Sequence, residues 1–326
     1  MAKRRLLQNC LWSVIAVLAL SSCASKPSSA PAGDGEFSYL AAGGLAYFYA
    51  DVNLARPILA NISVRGIDMT QTGRFLDKVD FLSGAVYPGE SPRKLQLHAW
   101  KQKGKVPGAG ALFLSAKWAK TASPTGGTYY HSDAYGLSVS TQGSHAFVSD
   151  GDPLVFDPPV AAPDTLAELR WEAVLLGWLN HAGTPINNFL SAAGIPVRVP
   201  TDRVLFGVHR FSASDADGET ATGIDDDDDN PTSRPGSAPK GPLYVLRLRI
   251  ETENPNQARA LAALLAFVRV FAESQDINAE TEYLETLRPL LANPPSQDGA
   301  DLAIQTEPMT AGEIALLFNR FAVYSQ

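Results

Sequence analysis

Residues 243–273 read LYVLRLRIETENPNQARALAALLAFVRVFAE, and the fold class turns on them. Leu243 to Ile250 has the make-up of a β-strand, and the chain then passes into a helix over about 256–273. A similar succession stands upstream. Asp77-Lys78-Val79-Asp80-Phe81 can be laid against Asp202-Arg203-Val204-Leu205-Phe206, with an acid, a base, a valine and a phenylalanine in step. In the first copy a second strand follows at Leu95–Trp100, then a helix at about 109–119, then strands at Gly136–Ser140 and His145–Ser149. In the second copy the helix of 256–273 is followed by a strand at Asp301–Thr306. Asn53-Leu54-Ala55-Arg56 and Asn256-Gln257-Ala258-Arg259 share the passage from strand to helix.

This pattern predicts an α+β protein of antiparallel sheets covered by helices, built as a diverged tandem repeat of a strand-strand-helix-strand unit. Residues 37–160 form one half and 161–326 the other. Chance similarity between two strand starts is the rival reading of the five matched positions. Leu45 to Val52 reads as a strand, with a short helix from Asn53 to Ile62. Thr165-Leu166-Ala167-Glu168 has the form of a capping box and predicts a helix through about Asn180. Thr310-Ala311-Gly312-Glu313 is a second box, opening a C-terminal helix with Ile314, Leu317, Phe318 and Phe321 on one face.

The 326 residues are 45% hydrophobic and 19% charged, enough for a substantial core and incompatible with wholesale disorder. There are 27 basic against 34 acidic side chains, the wrong balance for clustered phosphate contacts, so no nucleic-acid partner is expected. Two cysteines cannot support a disulfide scaffold.

At the N-terminus, Lys3, Arg4 and Arg5 precede an apolar run from Leu11 to Leu20. Ten residues fall short of the roughly 20 a spanning helix needs, so residues 1–22 read as a signal peptide. The run ends in Leu20-Ser21-Ser22-Cys23, which resembles the lipobox of bacterial lipoproteins. The resemblance implies that Cys23 receives a diacylglycerol and becomes the mature N-terminus, anchoring the chain to a membrane through its lipid. An ordinary secreted protein with a chance thiol at Cys23 is the alternative. In that class an Asp after the cysteine favours the inner membrane; Ala24 stands here, which leans toward the outer membrane in an organism that has one. The ectodomain faintly resembles uncharacterised spirochaetal lipoproteins, with no diagnostic motif behind the likeness.

Loss of residues 1–22 removes three positive charges, leaving 24 basic against 34 acidic side chains, a net of −10. Such a chain is repelled by anionic headgroups, so lipid must hold it. Residues 23–36 are rich in small residues, Pro and Gly and read as a flexible tether, with order beginning near Phe37. Residues 212–241 carry eight acids against Arg234 and Lys240 and read as a solvated acidic loop. The run Asp225–Asp229 lacks the ligand spacing of a calcium loop.

Candidates for chemistry are sparse. His98, His131, His145, His181 and His209 are scattered singly without a zinc-binding spacing, and His98 and His209 read as ladder residues. A Ser-His-Asp set can be drawn from Tyr130-His131-Ser132-Asp133 and from Ser144, His145 and Asp150, but adjacent residues on a strand point to opposite faces, so Ser144 and His145 cannot pair directly. Gly136-Leu137-Ser138-Val139-Ser140 fails as a nucleophile elbow at its last position. Gly108-Ala109-Gly110 resembles a dinucleotide turn, with Phe113 where the third glycine belongs. No cofactor and no metal is expected.

The helix of 256–273 is apolar nearly all round. A buried core helix is the first reading, in which Phe267→Ala costs roughly 3–5 kcal/mol. The other is a hydrophobic-ligand site lined by Phe267, Phe271, Leu264 and Val268. The function expected is therefore a lipid-anchored envelope lipoprotein whose ectodomain binds or scaffolds envelope partners without catalysis. A lipid carrier with a cavity beside this helix is the alternative, and an envelope hydrolase the third. Limited proteolysis is expected to cut first within 24–36 and 212–241, leaving resistant pieces that stay associated. Early cleavage inside 256–273, read by mass spectrometry, would contradict this organisation.

Overall fold

A computed structural model describes residues 35–62, 76–88, 94–106, 118–133, 136–183, 187, 201–211, 241–274 and 288–324. The expected signal peptide, most of the tether, the helix of 109–119 apart from its last two residues, the Gly108-Ala109-Gly110 turn and nearly all of the acidic loop lie outside them.

In chain order the elements are β1 (Ala46–Asp51), α1 (Val52–Leu59), β2 (Phe81–Val86), β3 (Leu95–Trp100), β4 (Ala119–Ala122), β5 (Thr128–Ser132), β6 (Leu137–Gln142) and β7 (His145–Ser149). There follow α2 (Leu166–Arg170), β8 (Ala173–Asn180), β9 (Arg203–Arg210), β10 (Leu243–Glu251), α3 (Pro255–Ser274), β11 (Ser296–Asp298), β12 (Asp301–Gln305), β13 (Met309–Thr310) and α4 (Ala311–Tyr324). All thirteen strands form one antiparallel sheet in the order β11-β12-β10-β9-β8-β1-β2-β3-β7-β6-β5-β4, with β13 beside β10. The class is α+β, as expected. The matched pentapeptides do not occupy equivalent places, since β2 begins on the last residue of Asp77–Phe81 and β9 on the second of Asp202–Phe206.

The main departure from the sequence reading is at 165–180. The helix there is α2 alone, and Ala173–Asn180 is the strand that lies between β1 and β9. Thr165 makes no cap. Its hydroxyl donates to Glu251 Oε1 at 2.6 Å, so the first N–H groups of α2 lose that acceptor. Trp171 turns to ψ 117° and Glu172 takes φ 59°, which ends the helix. The run AVLLGWLN is apolar at nearly every position because β8 is covered on both faces, and such a strand shows no alternation.

The other box closes. Glu313 Oε2 accepts from the Thr310 N–H at 2.7 Å and Thr310 Oγ1 from the Glu313 N–H at 3.3 Å, opening α4. For α1, Asp51 is the cap, accepting from the Asn53 and Leu54 N–H groups, so that helix starts one residue earlier than expected.

Register sorts the side chains into two layers. On one face Leu175, Val208 and Leu246 pack with Ala55 and Ile58 of α1 and Ile314 and Leu317 of α4. Val204, Ile250, Leu302 and Ile304 on that face meet Leu261 of α3. The opposite face carries Tyr47, Trp178 and Leu205, covered by Phe37 and Leu40 and by Leu166 and Leu169 of α2. Arg249 ties α2 to this face, donating to Asp301 Oδ2 at 2.9 Å and pairing with Glu168.

Gly177 sits at the seam, opposite Phe48 of β1 and Phe206 of β9. A Cβ there would stand 2.2 Å from the Tyr47 carbonyl oxygen and 2.7 Å from Phe206 Cζ. Gly177→Ala is expected to cost about 3 kcal/mol, because backbone cannot yield to the added methyl. Urea unfolding checks this; a loss under half that size would show that the seam has slack.

Candidate functional site: an exposed apolar rim

The antiparallel registers place the end of β1, the start of β2, the end of β3, the start of β8, the end of β9 and the start of β10 at one end of the sheet. We call it the lower end. α1 leaves it from β1, and Trp171 lies there before β8. Through β13, which pairs with Leu243 and Tyr244, α4 begins there too. α3 starts beyond the upper end of β10. Its 20 residues rise about 30 Å, and it lies over β11 and β12.

Trp171 (80%), Leu316 (47%) and Leu54 (37%) are large apolar side chains exposed on elements that begin here, and Phe267 (65%) and Val270 (63%) are exposed on the second half of α3. Among the described residues only Leu45, at the upper end, joins that group from elsewhere. The chain coming from the tether meets the fold at the same end, where Glu36 forms an ion pair with Arg170, the neighbour of Trp171.

The expectation that α3 is a core helix is overturned. It packs over β11 and β12 at the sheet margin and buries one stripe, Ala258, Leu261 and Val268, with Leu264 and Leu265 half-buried. Ala260, Ala263, Phe267 and Val270 lie on the outward side. Phe267 and Val268 therefore do not share one surface, and the Phe271 side chain lies outside the description. Helical periodicity shows where the apolar residues are; it does not show whether a second layer covers them. Beside α3 a cavity lined by Leu265, Ala266, Arg269, Leu290, Pro294 and Ile304 encloses about 50 Å³. That is about a third of the roughly 150 Å³ cavity that holds one benzene, too little for an acyl chain.

The histidines are less scattered than the sequence suggests. β3 and β7 bring His98 Nε2 to 2.9 Å from His145 Nδ1. Across β5 and β6, His131 Nδ1 lies 3.0 Å from Ser138 Oγ and its Nε2 3.2 Å from Asp133 Oδ1. That is a Ser-His-Asp chain with its burial inverted. Ser138 is buried, where substrate cannot reach it, and Asp133 is fully exposed, where water competes for the histidine it should orient. His209 is a buried ladder residue, its pKa pushed down to about 4 by burial and then by Arg247. No group of three or more His, Cys, Asp or Glu able to hold a metal occurs among the described residues, and no helix there is long and apolar enough to cross a membrane.

Exposure changes the expected energetics of α3. Phe267→Ala should cost under about 1 kcal/mol, while Val268→Ala, which empties a buried position, should cost about 1–2 kcal/mol. Equal losses in chemical denaturation would return Phe267 to the core.

No protein-family model matches the chain, and no curated protein matches it. Among solved structures it is similar to three crystal forms of TP0453, a spirochaetal (Treponema) protein. Form IV aligns with TM-score 0.53 and 14% identity over 90% of this chain and 100% of that one. Form III gives 0.51 and 14% over 89% and 99%, and form I gives 0.50 and 13% over 89% and 98%. At such identity the likeness is one of fold, and it agrees with the spirochaetal resemblance of the sequence.

Proposed function

We propose that the chain is a lipid-anchored lipoprotein of the cell envelope, in the outer membrane where the organism has one. Its ectodomain is a non-catalytic binding module that binds with its lower rim. The observation that carries this reading is the exposure of Trp171, Leu316 and Leu54 at the end where the tether arrives, together with Phe267 and Val270 on the outward side of α3. Exposed apolar side chains in groups mark interaction surfaces.

The occupant favoured is the bilayer that carries the chain's own anchor. From Ala24 to Glu36 there are thirteen residues, which fully extended reach about 45 Å. That exceeds the combined thickness of a sheet and a helix layer, roughly 20 Å, so the rim can touch the headgroups. A short tether also holds the rim near the surface at a millimolar effective concentration, so weak contacts suffice. Trp171 is the residue type that settles at a membrane interface, and each buried aliphatic side chain adds roughly 1–2 kcal/mol. The net charge of −10 opposes anionic lipid, which makes a neutral surface the better match. A cavity-based carrier finds little support in a space of about 50 Å³, and a hydrolase little in a triad with inverted burial.

The mature chain carrying Cys23→Ser is expected to float with phosphatidylcholine vesicles, and Trp171→Asp combined with Val270→Asp to weaken that binding at least tenfold. Binding that survives both substitutions would remove the rim. A chain that ignores vesicles while a photo-crosslinker at Phe267 captures an envelope protein would give the rim to a protein partner.

A further inference from the structure

Residues 37–42 cross the strands from β8 to β3, over the sheet face that carries Tyr47 and Trp178. Phe37 packs edge-on against Trp178 at 4.7 Å. Tyr39 lies over His98 and His145, with ring centroids 4.4 and 5.4 Å away, and over Phe147 and Phe156 at 5.4 and 5.6 Å. The Ala41 N–H donates to Gln96 Oε1 at 2.8 Å, and the Ala41 carbonyl accepts from the Tyr47 and Tyr87 hydroxyls at 2.9 and 2.8 Å. The segment is the direct continuation of the tether, and two histidines form the floor beneath its middle.

We propose that residues 37–42 are an acid-releasable strap, held down while His98 and His145 are both neutral and share one proton across their hydrogen bond, and freed when the pair takes up one proton more. His98 is buried and stacks with Trp100 at 4.6 Å and with Phe147 at 5.0 Å. Its Nε2 meets His145 Nδ1 at 2.9 Å, a contact that accommodates one proton. The other His98 nitrogen, Nδ1, has no hydrogen-bond partner among the described residues, and neither has Ser83 Oγ on the strand position opposite.

The proton count decides the outcome. If His145 becomes imidazolium, its Nδ1–H must donate to His98 Nε2, so the His98 proton moves to Nδ1, where nothing accepts it. If His98 is the one protonated, it carries the same orphan N–H and a buried charge as well. Either state is relieved only by water, and water reaches the floor when Tyr39 lifts.

The ionisable groups facing the pair are the two imidazoles themselves and, from the strap, the Tyr39 phenol. The carboxylates on flanking elements are engaged elsewhere: Asp80 accepts from the Gln102 N–H, and Asp150 from the Lys94 and Leu95 N–H groups. Among the described residues no carboxylate is hydrogen-bonded to either imidazole to welcome a positive charge. Burial lowers the pKa of both histidines, and for His98 its neighbour His145 lowers it further.

The sign follows. The covered state binds fewer protons than the released state, whose histidines return toward about 6.5, so acidification favours release. For each pH unit below about 6.5 the released fraction should rise about tenfold if one proton is linked and about a hundredfold if two are. The strap itself does not depend on the anchor or on the rim; only its consequence for a membrane-bound chain does. Freeing residues 37–42 lengthens the tether from thirteen to nineteen residues and its full reach from about 45 to about 65 Å.

Amide hydrogen exchange on the mature chain, corrected for the intrinsic effect of pH, tests this. Protection of the Ala41 and Ala42 N–H groups should fall at least about fivefold from pH 6.5 to 5.5, while amides of the β1–β8 pair keep theirs. In a His98→Phe, His145→Gln chain that dependence should vanish. Wild-type protection that does not change with pH, or an unchanged slope in the double variant, overturns the proposal. Should that variant not fold, NMR titration of the wild type decides. The Tyr39 ring resonances must move with the same midpoint as the two histidines, and a Tyr39 that stays put while they titrate sinks the strap. None of these outcomes bears on vesicle binding by the rim.

Discussion

The pairing of β1 with β8 is the contact on which the rest of the architecture depends. Without it, β2 to β7 and β9 to β13 would be separate sheets, each with an open apolar edge. The pair brings together residues about 130 apart in the chain, so loop-closure entropy opposes it, and side-chain contact must offset that loss. Tyr47 and Trp178 stand directly opposite each other and stack at 4.6 Å. On the other face Gly177 lets Phe48 and Phe206 close over the backbone. A contact of this sequence separation forms slowly, and the strands flanking it wait for it.

From that seam the two faces of the sheet take different characters. The helix layer, α1, α3 and α4, supplies aliphatic burial, and its outward surface turns apolar toward the lower end. The other face is aromatic and polar, covered by thin pieces of chain in place of long helices. Glu36 with Arg170, and Arg249 with Asp301 and Glu168, fasten those pieces at their margins. The pairs of Arg170 with Glu36 and of Arg249 with Glu168 each have one exposed partner and contribute little to stability, so their value is positional: they fix where a segment lies over the floor.

How legible all this was in the sequence depends on what each signal measures. β3 and β7 were found to the residue, and β1, β10 and β12 to within one at either end, because each is bounded by polar or turn residues. β8 was misread because a strand covered on both faces has no polar phase, and a capping box stood just ahead of it. The two boxes differ in nothing the sequence displays: Thr310 found only Glu313, whereas Thr165 found Glu251, 86 residues away. α3 was placed correctly and its surroundings wrongly, since a helical wheel is blind to the layer above. The contact of His98 with His145 was invisible, and so was Ser138 as the serine beside His131 and Asp133, because both arise from register between strands. The short segments β4, β5, β11 and β13 carry too few residues for any periodicity to show.

A thirteen-stranded sheet that does not close has two open borders, and here both are blunt. β4 is four residues long and carries Lys120; β11 is three, and ends in Asp298. Each offers little backbone to a visiting strand, and a charge beside it. That matters most for a protein confined to two dimensions. Copies sharing a membrane would collide edge to edge far more often than copies in solution, and long bare borders would invite them to fuse into continuous ribbons. Short, charged borders would let such neighbours meet and part, so a chain anchored as proposed could be abundant on a membrane without polymerising across it.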